Sequence, residues 1–197
     1  MPKVFPEYRK EAKSRVIKAA AGLFSKNGYH DTTMDDIASE LGVSRGAIYL
    51  YFESKEAILQ EIFLLNQKSL RFMLEQYGDE PDPLTMAEKL FDKITECKRA
   101  RMPIHFEMVS IAAYDDAVRK MMLEDNERYL EVTQAFVQHH MDKGNIRKDI
   151  DPRILANLII SLTVGSMEKM IIGADPAKVR ESWSVALAVL LGIKNVQ

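Results

Sequence analysis

Thr33-Met34-Asp35-Asp36-Ile37-Ala38-Ser39-Glu40-Leu41-Gly42-Val43-Ser44-Arg45-Gly46-Ala47-Ile48-Tyr49-Leu50-Tyr51-Phe52-Glu53-Ser54-Lys55 reads as two short helices meeting at a tight corner, with a third beginning at once. Ile37, Ala38 and Leu41 set an apolar stripe on the first helix, and Gly42 follows directly as its stop. A residue without a Cβ takes the left-handed backbone there at least cost. Val43 is expected to plug the corner, and Ser44 to cap the next helix through its side-chain oxygen. Ile48 and Phe52 give that second helix an inward face, and Ala38 is small where the two helices cross. A corner of this kind lays its second helix in the major groove of DNA.

An ordinary corner inside a helical core would show the same apolar spacing. The outward residues favour the other reading. Ser44, Arg45, Gly46, Ala47, Tyr49 and Tyr51 are small, basic or phenolic, with no acid among them, whereas Asp35, Asp36 and Glu40 all fall on the preceding helix. A helix that approaches phosphates needs its charges sorted in this way, and a core corner does not. Arg45 stands at the N-terminal end of the second helix, where an arginine can bridge O6 and N7 of a guanine. Ser44 and Ala47 flank it, and Gly46 lets the backbone come close to base edges.

Over residues 12 to 59 the sequence resembles the tetracycline-repressor (TetR) family of bacterial and archaeal transcription regulators. Ala-Ala-Ala-Gly-Leu-Phe-Ser-Lys-Asn-Gly-Tyr at 19–29 looks like that family's first helix and its exit. Thr32-Thr33 looks like the start of its second helix, and Gly42 to Leu59 like the rest. The resemblance implies an all-α chain of nine helices. Its N-terminal three-helix domain, residues 1–53, would carry the helix-turn-helix, and residues 54–197 would sense a ligand and dimerise. It also implies that Thr33, Tyr49, Tyr51 and Lys55 hold phosphates and set the register, Tyr51 standing where the family often has His.

Composition fits this picture. A chain of 197 residues with 47% hydrophobic and 28% charged residues buries a sizeable core in one or two domains. The net charge of −2 is not that of a nonspecific DNA packager. Charge is uneven, however: residues 1–30 hold seven lysines and arginines against two glutamates, a basic first helix suited to approach the DNA backbone. The single Cys97 excludes an internal disulfide, suits a reducing cytoplasm, and reads as a small buried hydrophobe beside Ile94. No apolar run opens the chain, so no signal peptide is expected. The most apolar helix keeps only fourteen charge-free residues, 154–167, which reads as too short for a membrane span.

Apolar residues recur at three and four throughout, never at two. The spacing predicts helices over about 6–27, the two of the corner, 54–77, 84–100, 103–114 and 116–143, with a linker at 78–83. Two Asp-Pro starts, Asp151-Pro152 and Asp175-Pro176, open the last two helices, 152–172 and 176–193. Those two look too apolar for a monomer, with Leu187 and Leu190 among the residues spread around the last. A buried hairpin in one core is one explanation. The family resemblance implies another, a two-fold four-helix bundle that pairs two copies into a homodimer.

Met102, Met108, Met121 and Met122, with Phe91, Phe106, Tyr129 and Phe136, either fill a core or line an adaptable apolar pocket. For a pocket among helices four to eight, the candidates are Phe91, Ile94, His105, Met108, Val109, Met122 and Tyr129, with a small apolar or amphipathic compound as occupant. The fourth helix would transmit the tilt. His139 and His140 point about a hundred degrees apart on a helix, so exposed histidines rather than a metal site are expected. No activated nucleophile, carboxylate pair, phosphate loop or metal set stands out, and neither catalytic residues nor a cofactor are expected. Two function classes remain open: a cytoplasmic, ligand-responsive repressor on a palindromic double-stranded operator, or a helical carrier or enzyme with a vestigial helix-turn-helix.

Overall fold

The computed structural model describes residues 6–77, 82–98 and 102–193, and every regular element among them is a helix. The order is α1 (Pro6–Asn27), α2 (Met34–Leu41), α3 (Arg45–Tyr49), α4 (Lys55–Tyr77), α5 (Pro83–Lys98), α6 (Met102–Ala112), α7 (Asp116–Lys143), α8 (Pro152–Ile171) and α9 (Pro176–Leu191). The expected linker lies mostly outside the described residues, as do the side chains of Ile94 and Cys97. Helix starts follow side-chain chemistry. Asp151 accepts from the amides of Arg153 and Ile154, and Asp175 from that of Ala177, each with proline at the first helical position.

Contacts gather the chain into two units, one of residues 1–66 with 100–122, the other of 67–99 with 123–197. This grouping differs from a boundary after residue 53. The first unit takes the beginnings of α4 and α7 and the whole of α6, because its core needs them. Val16, Ala20 and Phe24 of α1 meet Ile37 and Ala38 of α2, Ile48 of α3, Ile58 and Leu59 of α4, and Ile104 and Met108 of α6. Fully burying side chains of this size stabilises each by about 1.5–3 kcal/mol. Met108 and Met121 are therefore core filling, and Met122 packs against them.

The corner closes through its backbone. Gly42 sits at φ +66, its amide donating to Ser39 O, while the Val43 amide reaches back to Ala38 O at 3.0 Å. Two returning amides satisfy the last carbonyls of α2. The Val43 side chain does not plug the corner as expected; it is 42% exposed. Its contribution comes from its main chain.

In the second unit Phe91, Leu130, Val137, Leu155, Val179, Trp183 and Leu187 form the core. Two arginines staple its rim: Arg153 forks onto Glu127 between α8 and α7, and Arg180 onto Asp92 with Glu88 between α9 and α5. Between α4 and α7, the buried Gln67 amide donates to Asp125 at 2.6 Å.

Helix α8 corrects one expectation. Its 20 residues are long and apolar enough to cross a membrane by length and composition, since the fourteen charge-free residues extend into polar ends that a span tolerates. Leu155 and Ala156 belong to the unit's core and Met167 is buried, while most of the helix is not. The uncovered part carries Ile154 and Leu158, and α9 carries Val185 and Val189, all exposed. Leu187 is not among them: it is 4% exposed and belongs to the core.

Candidate functional site

The corner places Ser44 as the cap of α3, its Oγ accepting from the amide of Ala47 at 3.3 Å. The next side chain, Arg45, is thereby held outward at the exposed first turn. Its guanidinium donates to Asp35 of α2 through Nη1 and to the Tyr49 hydroxyl through Nη2, both at 3.0 Å. It also lies over the Tyr49 ring, 5.4 Å from the centroid. The acid that sequence sorting assigned to the other helix thus reaches across the corner to Arg45. An exposed pair of this kind contributes little, so a base edge can replace it. A Cβ on Gly46 would meet nothing nearer than Ser44 Oγ at 3.9 Å, which leaves the backbone open to approach. On α1, Lys10, Arg15 and Lys18 are exposed cations.

The loop from Gly28 to Thr32 before α2 is gripped from two sides. Glu107 of α6 accepts the amides of Tyr29 and His30, one on each carboxylate oxygen, both at 2.7 Å. The ammonium of Lys55 at the start of α4 donates to the carbonyls of Tyr29, His30 and Thr32 at 2.6, 3.2 and 2.8 Å, and stands over the Tyr29 ring. The Tyr29 hydroxyl donates to Glu56, and burial, then that carboxylate, pushes the phenol above its ordinary value. Burial would raise the Glu56 carboxyl, but bonds from its own amide, Tyr29 and Ser54 outweigh this and hold it below the ordinary carboxylate value. By sequence Glu107, with His105 and Ser110, is a candidate polar group facing a ligand; it clamps this loop instead, through backbone amides more than 70 residues away.

The second unit holds an apolar cavity of about 100 Å³ among α4, α5, α7, α8 and α9. Tyr129, Phe136, Thr163, Val164 and Trp183 are on its wall, with Leu70 and Leu74 from α4 and Leu187 from α9. Of the six expected ligand residues whose side chains are described, Tyr129 alone lines it. Phe91 stands behind Trp183, ring centroids 4.7 Å apart. Met108 is in the first unit's core, Met122 packs on that core, Val109 is 48% exposed, and His105 is half-buried against Phe106. Ile94 lies outside the described side chains. His140, expected to be exposed, is 1% exposed and lines the cavity beside Phe136; His139 is exposed. The hundred-degree turn between the neighbours sends one inward and the other out.

Residues 16–62 match the model of the bacterial regulatory proteins of the tetR family. These residues form a DNA-binding domain of the TetR family. Similarity extends over its whole length. It is 26% identical over 188 residues, 93% of this chain and 94% of the other, to the HTH-type transcriptional repressor DhaR of a Mycobacterium species. Salmonella enterica GusR shares the fold with a TM-score of 0.76 and 21% identity, covering 98% of this chain and 100% of that one. Bacillus subtilis FadR, solved in complex with stearoyl-CoA, does so at a TM-score of 0.70 and 20% identity, covering 92% and 99%. The chain is a DNA-binding transcription regulator.

Against the phosphate-holding roles that the TetR resemblance implies, the geometry separates the four residues. Tyr49 is exposed. Thr33 caps α2, its hydroxyl donating to Asp36 and accepting from the Asp36 amide, so its polar atoms already have partners. Tyr51 is half-buried and packs on the first unit's core. Lys55 spends its ammonium on three carbonyls and is half-buried. That contact is a structural clamp in the DNA-free chain. Among the described residues, no group of three or more His, Cys, Asp and Glu is placed to hold a metal ion.

Proposed function

We propose that this regulator is a TetR-family repressor that binds a palindromic operator as a homodimer and leaves it when a small apolar or amphipathic compound enters the cavity of the second unit. The observation that carries the first part is α3 itself: capped by Ser44, without an acid on its outward face, with Arg45 projecting at its first turn. Arg45 exchanges Asp35 for a guanine edge, Gly46 and Ala47 let the backbone approach, and Tyr49 with the cations of α1 meets phosphates. Selection of bound sequences from random DNA, followed by gel shift, tests this. A palindrome with a G·C pair at one position per half-site is the expected result, and binding with no sequence preference would refute it.

Pairing through α8 and α9 is supported by the apolar side they leave open, Ile154 and Leu158 on one and Val185 and Val189 on the other. Dimers of this kind set two recognition helices about 34–36 Å apart, one turn of DNA, or a multiple of it. Leu158→Glu with Val189→Glu places charges where the partner would sit and, unlike a change at Leu187, leaves the protomer core intact. Sedimentation should then show a folded monomer that no longer binds the operator. A wild type that sediments as a monomer at micromolar concentration would overturn the pairing.

The ligand response is supported by the cavity and by FadR, whose structure holds stearoyl-CoA. Helix α4 is one continuous element, and its Leu70 and Leu74 line the cavity. Occupancy that tilts α4 alters the spacing of the recognition helices. The operator must then weaken ligand binding by the same factor as ligand weakens operator binding.

A further inference from the structure

The cavity's chemistry is narrower than "apolar or amphipathic". We infer that its ligand is a compact, uncharged, apolar group, one aromatic ring or a short branched hydrocarbon, and neither a long acyl chain nor a quaternary ammonium. The inference rests on reading this cavity as the effector site. Three observations carry it. First, among the described residues no Asp, Glu, Lys or Arg lines the wall, so a phosphate or ammonium taken inside would find no fixed counter-charge. Second, the two threonine hydroxyls and the indole of the wall are already satisfied within the chain. Thr133 donates to Tyr129 O at 2.9 Å, Thr163 donates to Ile159 O at 2.8 Å, and the Trp183 ring N–H donates to Thr163 at 3.2 Å. A ligand therefore has no bond to complete with these three groups, and shape selects it more than hydrogen bonding does.

The third observation is size. At about 100 Å³ the space is somewhat smaller than an engineered apolar cavity of about 150 Å³ that takes benzene or xenon. One ring fits with slight yielding of the wall, and eighteen carbons could not lie wholly inside it. Close packing makes that wall stiff enough to discriminate.

Trp183 is the chain's one tryptophan and lines the cavity, so its fluorescence reports occupancy without a label. The full-length protein is titrated with bromobenzene, whose heavy atom quenches indole emission, and in parallel with 1-bromonaphthalene, choline and stearoyl-CoA. Saturable quenching by bromobenzene is expected, at least tenfold tighter than by 1-bromonaphthalene, with no competition from choline or stearoyl-CoA. Val164→Phe, which fills the space, should weaken bromobenzene at least tenfold while thermal unfolding stays cooperative. If that variant does not fold, the size preference of the wild type decides, and Leu74→Ala should reduce it. Purely linear quenching by bromobenzene, or its displacement by choline or stearoyl-CoA, overturns the inference. Each probe is also added to the operator complex. Bromobenzene that binds without changing operator affinity refutes the effector reading and leaves the ligand class standing. Stearoyl-CoA or choline that binds and releases DNA does the reverse.

Discussion

The reading helix and the cavity are opposite solutions to recognition. Around α3 the working groups are polar and exposed, and each is lightly tied to a replaceable partner, as Arg45 is to Asp35 and Tyr49. Around the cavity the working groups are apolar and buried, and the indole of Trp183 is tied to Thr163 within the wall. On the reading proposed above, the first site recognises by exchanging one hydrogen bond for another, the second by shape. Charge changes should therefore disturb them differently: DNA affinity at the first, folding at the second.

The sharpest test of that difference sets Leu187→Glu against Arg45→Ala. An unpaired carboxylate in the cavity wall falls in the exceptional class of about 4–5 kcal/mol or more, so urea denaturation should find the Leu187 variant largely unfolded. Arg45 is solvent-exposed, and its loss should leave stability within about 0.5 kcal/mol. A folded Leu187→Glu protein would break the comparison.

Next in size is the effect of Arg45→Ala on DNA. It should cost about 1–3 kcal/mol of discrimination at one base pair in each half-site, measured by competition between operator and single-pair variants. Equal losses on operator and random DNA would turn Arg45 from a base reader into a phosphate contact.

Lys55 blurs the boundary between site and scaffold, and its replacement sharpens it. Lys55→Met leaves three loop carbonyls without their donor and should lower stability by about 1–3 kcal/mol. Unchanged stability with the salt slope of DNA binding reduced by about one would instead make it a phosphate ligand.

The smallest expected effect belongs to Asp36. Hydrogen bonds from the Thr33 side chain and backbone hold its carboxyl below the ordinary value. The unfolded chain takes up this proton at its ordinary pKa of about 3.9, so the stabilisation is complete above that pH and is lost as pH falls through the lowered folded value. Asp36→Asn should therefore be less stable than wild type at neutral pH, and the gap should close in acid. A gap that is the same at both pH values would show that the charge is irrelevant to the cap.

The sequence by itself determined the helices, their caps and the reading corner. Gly42, Ser44, Asp151 and Asp175 act on their immediate neighbours, and such short-range chemistry is written in residue order. It marked Arg45 as outward for the same reason. Only the tertiary structure decided what lies between helices: that Asp35 reaches Arg45, that Glu107 clamps the 28–30 loop, that Met108 fills a core rather than a pocket, and that Leu187 and His140 face a cavity. A methionine or leucine is equally suited to a core, a cavity wall or an outward face. Which of these it serves depends on the neighbouring helices, and three-residue periodicity shows that a helix has an inward side without showing what that side meets.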